Sequence, residues 1–161
     1  MLSFNLRIRK FMQVISTDDI IPGKYKHMYS DPLELAKHIF ENLLPGYATT
    51  FKYGDAIYCN NIFGIGSSRE QAVSSLLAAG VKAVLAPRFG RIFFRNAWNL
   101  GLLAIEIEQF RCDDGSNVLI DLTQGFIENN YGSFKITPPP IEMLEIYNEG
   151  GLLNKLCKEL K

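Results

Sequence analysis

Very little in this chain is suited to holding a metal. It has three cysteines, Cys59, Cys112 and Cys157, and two histidines, His27 and His38, in 161 residues. The cysteines are odd in number, lie far apart and form no Cys-x-x-Cys pair. That argues against a disulfide framework and against a self-contained zinc or iron–sulfur site, and it fits a reducing cytoplasm. An excess of one charge is missing too. Seventeen Lys and Arg balance seventeen Asp and Glu, so no nucleic-acid or membrane surface is indicated. No run of about 18 apolar residues is present to span a bilayer. Met1 to Phe11 alternates apolar and polar residues as a strand does, with no apolar h-region or cleavage site. Internal repeats and low-complexity tracts are absent as well. What remains is ordinary for a globular protein: 47% apolar and 21% charged residues, enough for one domain with a real core.

The pattern alternates strand and helix. Leu2 to Val14 predicts a first strand. Ser16 to Tyr29 is polar and turn-rich, with Pro22-Gly23 as a breaker. Ser30 or Asp31 caps a helix with Pro32 in its first turn and Leu33, Ala36, Ile39 and Phe40 on one face, ended by Leu44-Pro45-Gly46. Asp55 to Cys59 reads as a strand and Arg69 to Ala79 as a helix. Val81 to Ala86 is a buried strand. Gly90 to Leu100 is a helix with Ile92, Phe93, Ala97 and Trp98 inward, and Leu102 to Ile107 is a further strand. That middle section argues a parallel α/β layer. Asn117 to Leu122, Gly125 to Glu128 and Ser133 to Ile136 predict short antiparallel strands, a second β element. Beyond Pro138 to Pro140, a C-terminal helical extension is expected over about 141–161, with a break at Gly150-Gly151.

The densest signal is Asn60 to Ala72. Gly64 and Gly66 lead into Ser67, Ser68 and Arg69, and a helical pattern follows at once. A turn of that kind frees backbone N–H groups at a helix start, where the dipole favours an anion. Arg69 adds a planar fork suited to a carboxylate or phosphate. The rivals fail on particular residues. A Walker loop needs a lysine, and none follows Gly66. A dinucleotide fingerprint needs a third glycine where Arg69 stands. A hydrolase elbow needs Gly-x-Ser-x-Gly, which is absent. The bland reading of the serines is helix capping, Ser68 with Gln71 or Ser67 with Glu70. Asp18 and Asp19 have an equally bland reading as turn formers. Arg88, Arg91 and Arg95 read as a solvated helix face.

With these residues in view, the chain resembles the small subunit of the aconitase superfamily's two-subunit hydro-lyases, best known from isopropylmalate isomerase. The likeness runs from about Ser16 to Ile107. Thr17-Asp18-Asp19-Ile20-Ile21-Pro22 matches the family's Thr-Asp-x-Ile-Ile-Pro. Phe63 to Glu70 matches its Phe-Gly-x-Gly-Ser-Ser-Arg-Glu. Ala86-Pro87-x-Phe89, Ile92-Phe93 and Asn99-x-Gly101-Leu102 match a third block. The resemblance implies an α/β fold, the swivelling β/β/α domain, as a single domain over 1–161. It implies a large partner subunit that carries a 4Fe–4S cluster, with no cofactor or metal bound by this chain. It implies a malate-type diacid as substrate, most often isopropylmalate in leucine biosynthesis. Ser67 would be the general base as an alkoxide, and Asp18 would orient catalytic groups. Ser68 would hydrogen-bond the substrate, Arg69 would fork onto a carboxylate, and Lys24 would grip a second one. Tyr25 and His27 belong to the segment that reads the substrate's substituent.

Three departures stand out. Ser16 replaces an aspartate, which predicts a looser loop. Gln71 replaces a histidine. In the substrate segment the family places an apolar residue for an isopropyl group or an arginine for homoaconitate, and His27 is neither. A homoaconitase-type or methylmalate/citraconate-type subunit is therefore an alternative, as is a non-catalytic assembly or regulatory subunit of the same fold. The intact Ser67-Ser68-Arg69 beside Asp18 favours catalysis. The Lys24 to Tyr29 segment shows no regular pattern and is expected to be a mobile loop.

Overall fold

The computed structural model describes residues 2–160. The chain begins with strand β1 (Ser3–Phe11), a short β2 (Ile15–Ser16) and two small helices, α1 (Thr17–Ile20) and α2 (Gly23–Met28). Helix α3 (Pro32–Ala36) and a 3₁₀ turn at Tyr47–Thr50 lead to β3 (Asp55–Cys59) and β4 (Phe63–Ile65). Then come α4 (Glu70–Ala78), β5 (Val81–Ala86), α5 (Arg91–Leu100) and β6 (Leu103–Glu106). Strands β7 (Asn117–Asp121), β8 (Phe126–Asn129) and β9 (Gly132–Lys135) precede α6 (Ile141–Asn148) and α7 (Leu152–Glu159).

The fold is α/β, as the pattern predicts. Its main sheet has seven strands in the order β6-β5-β3-β1-β7-β8-β9. The first strand is the pivot. It runs parallel to β3 on one side, with Ile8 opposite Ala56, and antiparallel to β7 on the other, with Leu6 opposite Val118. The antiparallel strands therefore continue the parallel layer through β1 and do not form a separate β element. A two-stranded parallel pair, β2 with β4, stands apart.

Strand and helix periods meet in one core. Ile8, Ile57, Val84 and Leu103 are fully buried on the sheet, and Val73, Leu76, Phe93 and Ala97 pack from α4 and α5. Each of the larger side chains contributes about 1.5–3 kcal/mol of burial. Two expectations need correction. Ile92 is 41% exposed, because the buried face of α5 runs through Phe93, Ala97 and Trp98. Leu33 is 63% exposed, because α3 ends at Ala36 and the chain reaches Ile39 and Phe40 through turns.

At the pivot's outer end Asp55 is buried and takes both Arg7 Nε at 2.7 Å and Arg7 Nη2 at 2.8 Å. Arg9, also buried, has its guanidinium 4.5 Å from the Tyr47 ring centroid and 4.7 Å from that of Phe51.

Candidate active site

Strands β1, β3, β5 and β6 are parallel, so their carboxyl ends share one edge of the sheet. That is where ligands bind in open α/β sheets. The Gly64–Arg69 turn leaves the sheet at this edge, just past β3. Phe63 sits in a bridge with Phe89, and Gly90 N–H donates to the Phe63 carbonyl at 2.9 Å. The backbone is therefore pressed against the start of α5. Gly64 has φ +80°, and a Cβ there would stand 2.3 Å from Phe93 Cγ. Gly66 has φ +101°, with a Cβ position 3.3 Å from Thr17 Oγ1. A side chain is excluded at Gly64 by the ring and disfavoured at Gly66 by its left-handed backbone.

The serines do not cap. The residue before α4 is Arg69, in extended conformation and with no side-chain cap bond. Ser67 and Ser68 are exposed. The Ser67 carbonyl accepts from the Thr17 hydroxyl at 2.9 Å. Among the described residues neither serine hydroxyl takes part in a protein hydrogen bond, and both are open to solvent.

Arg69 is largely enclosed, with 12% of its side chain exposed against 59% for Asp18. Its Nη1 pairs with Asp18 Oδ1 and donates to the Ile21 carbonyl at 3.1 Å. Its Nε is buried without a hydrogen-bond partner among the described residues. Two of the expected site residues, Asp18 and Arg69, thus meet directly, with Ser67 and Ser68 on the same turn. Thr17 and the Ile21 carbonyl join them. Sequence reasoning assigned neither residue a role, although both lie inside the Thr-Asp-x-Ile-Ile-Pro block.

The segment before the turn is tighter than expected. Ser16 does not loosen it. Its hydroxyl accepts from Asp19 N–H at 3.1 Å, and the Asp19 carboxylate accepts Ser16 N–H at 2.8 Å, a reciprocal cap on α1. The segment from Gly23 to Met28 is helix α2 and not a patternless loop. Its first residue lies near the ion pair: a Cβ on Gly23 would lie 3.5 Å from Arg69 Nη2 and 3.6 Å from Asp18 Oδ1. Lys24 and His27 are exposed on α2. Tyr25 is turned the other way, 8% exposed, and its hydroxyl donates to Glu41 Oε1 at 2.7 Å. Lys24 and His27 thus face solvent on α2, whereas Tyr25 belongs to the fold's interior.

No three His, Cys, Asp or Glu side chains among the described residues are grouped so as to hold a metal ion. Burial pushes the Cys59 thiol up, and pushes Cys112 up to about 11. Cys59 and Cys112 are buried and Cys157 is exposed, and none of them belongs to a group of three or more possible metal ligands among the described residues. No helix among the described residues is long and apolar enough to cross a membrane.

The fold and this turn define a small-subunit class within the aconitase superfamily. The aconitase C-terminal domain family matches residues 55–110, from β3 to just beyond β6. A 3-isopropylmalate dehydratase small subunit of Archaeoglobus fulgidus is 43% identical over 94% of this chain and 93% of its own length. A methanogen homoaconitase small subunit of Methanothermobacter thermautotrophicus is also 43% identical, over 96% of this chain and 91% of its own. The crystal structure of 3-isopropylmalate dehydratase from Methanocaldococcus jannaschii superposes with a TM-score of 0.91 at 40% identity, covering 98% and 95% of the two chains. The chain belongs to the 3-isopropylmalate dehydratase small-subunit family, a hydro-lyase family.

Proposed function

We propose that this chain, with a large subunit, interconverts 2-isopropylmalate and 3-isopropylmalate by dehydration and rehydration. The observation that carries the reading is two exposed serine hydroxyls, without protein partners among the described residues, on the same turn as an enclosed guanidinium. Ser67 Oγ, as an alkoxide, takes the proton from the carbon beside a substrate carboxylate. The C–H electron pair becomes the double bond as the hydroxyl departs. The positive charge of Arg69 favours the charged form of a base beside it. Ser68 hydrogen-bonds the substrate, and Arg69, held by Asp18, offers charge to a carboxylate. Lewis-acid help to the departing hydroxyl belongs on this reading to a 4Fe–4S cluster of the large subunit.

The test is anaerobic reconstitution with the large subunit. Ser67→Ala should abolish turnover while the complex still assembles. Near wild-type kcat in Ser67→Ala, with loss in Ser68→Ala, would transfer the base role to Ser68. The isolated chain should be inactive and free of iron.

A second reading, a homoaconitase-type substrate, is favoured by the exposed Lys24 and His27 on α2. An isopropyl group gains nothing from a charged neighbour and would have to desolvate it. If a polar substituent meets His27, His27→Leu should raise KM for that diacid and favour isopropyl or methyl analogues. Flat selectivity across a panel of diacids would remove this reading.

A further inference from the structure

Helix α2 carries Lys24 and His27, yet little holds it. Among the described residues a single side-chain hydrogen bond ties it to the rest of the fold, the one from the Tyr25 hydroxyl to Glu41. That carboxylate is shared. Its Oε2 lies 2.8 Å from His38 Nδ1, and a carboxylate can only accept, so the ring proton sits on Nδ1. The His38 ring in turn stacks on Tyr25, 3.8 Å between centroids at 10°. Tyr29, the residue closing α2, lies over the same imidazole at 5.6 Å and 9°. The hydrogen bonds from Tyr25 and His38 hold the Glu41 carboxyl below its usual range, as expected of a carboxylate with two donors. The shared carboxylate and the stack thus hold the chain from Tyr25 within α2 to Tyr29 at its close.

We propose that Glu41 and His38 are positioning residues for the substrate-reading helix. They fix Tyr25, and through it the place of Lys24 and His27 beside the Ser67–Arg69 turn. They touch no substrate. The inference rests on the proposed function only where it speaks of substrate. The clamp itself is a statement about α2. Residues 37–43, which supply His38 and Glu41, thus belong to the site although they form a separate turn behind it.

Two measurements test it, on Glu41→Ala and Glu41→Gln. The side-chain amide in Glu41→Gln keeps an oxygen to accept from Tyr25 and turns its NH2 to His38, whose ring proton then sits on Nε2 so that Nδ1 accepts, and that variant should behave close to wild type. The first measurement is tryptic cleavage after Lys24 and Lys26 in the intact chain, read by peptide mass. Glu41→Ala should speed it about three- to tenfold, the size of one lost hydrogen bond. The second is kinetics of the reconstituted complex. Glu41→Ala should raise KM by a similar factor and flatten selectivity across the diacid panel, with kcat little changed. Wild-type cleavage in Glu41→Ala would overturn the clamp. Faster cleavage with unchanged KM and selectivity would overturn its link to substrate. An active Ser67→Ala complex would instead overturn the proposed function and leave the cleavage result standing.

Discussion

The hydroxyl of Thr17 donates to the carbonyl of Ser67 across fifty residues of sequence. Thr17 is 2% exposed, so its hydroxyl is buried on the donor side, while the accepting Ser67 is exposed. It fixes the peptide that carries the proposed base. Thr17→Val keeps the shape and removes the donor. Stability should fall by about 0.5–1.5 kcal/mol. Turnover should fall further, on the order of tenfold to a hundredfold, because reacting groups tolerate little misplacement. Thr17→Ser should restore both. Thermal denaturation and kcat of the reconstituted complex separate the two effects. A variant that loses stability but keeps kcat would reduce Thr17 to a structural role.

Arg69 joins two elements through one terminal nitrogen. It meets Asp18 and the Ile21 carbonyl with Nη1, which leaves Nη2 of the planar fork for a carboxylate, whereas an ammonium is a single point charge with no second nitrogen to offer. Arg69→Lys should therefore lower kcat/KM by roughly 1.5–3 kcal/mol, the value of a charged hydrogen bond. Asp18→Asn removes the charge that holds the guanidinium. Asp18 is more than half exposed, so stability should change by no more than about 1 kcal/mol, while kcat/KM drops. Wild-type kcat/KM in both variants would leave the pair with no part in the reaction.

How legible this site was in the sequence depended on the range of the interaction. Helices α4 and α5 and strands β3, β5 and β6 are long or apolar enough for period and glycine punctuation to show them. The two short helices α1 and α2 are not, since four to six residues carry no full period. A cap signal was present in Ser16 and Asp19 and was masked by reading Ser16 as a lost aspartate. The serines of the turn fit a capping box by spacing, but tertiary contacts at Phe89, Gly90 and Thr17 set the turn's path, and the helix starts after Arg69. The motif brought Ser67, Arg69 and Asp18 forward. Their pairing could not be read, because residues 18 and 69 meet only through the packing of α1 against α4. Tyr25 shows the same limit: its place in the substrate segment says nothing of Glu41, sixteen residues on.

Gly64 offers a test of the turn's backbone alone. Its left-handed φ and its contact with Phe93 both exclude a side chain. Gly64→Ala should cost more than about 1 kcal/mol, and the ring it meets lies under Phe63 and Phe89 with little room to shift. Gly66→Ala meets only the Thr17 hydroxyl, so its Cβ clash is milder. Denaturant midpoints should rank wild type above Gly66→Ala and Gly66→Ala above Gly64→Ala. Equal midpoints for the two variants would mean that Phe93 moves aside freely.

Asp55 tests the opposite end of the sheet. It is 1% exposed and accepts from both Arg7 nitrogens and from Lys52 N–H at 2.9 Å, with Arg9 Nη1 at 3.6 Å. Its hydrogen bonds raise the Arg7 pKa further above its ordinary value, so no pH at which the protein folds would release the pair from that side. Asp55→Asn removes the one charge facing two guanidiniums. Breaking a buried pair costs about 3–5 kcal/mol, which for a chain of this size is a Tm drop of roughly 6–20 °C. Arg7 has 31% of its side chain exposed and can turn to water, which places the loss toward the lower end. Arg9, stacked against Tyr47 and Phe51, has no such exit. Replacing Arg7, Arg9 and Asp55 together by apolar residues should recover much of the loss, since it is the unpaired charge that is costly. Asp55 begins β3 whereas the Ser67 turn follows that strand's far end, so kcat of the folded complex should stay at wild type. An unchanged Tm in Asp55→Asn would show that the network contributes nothing to holding β1 against β3.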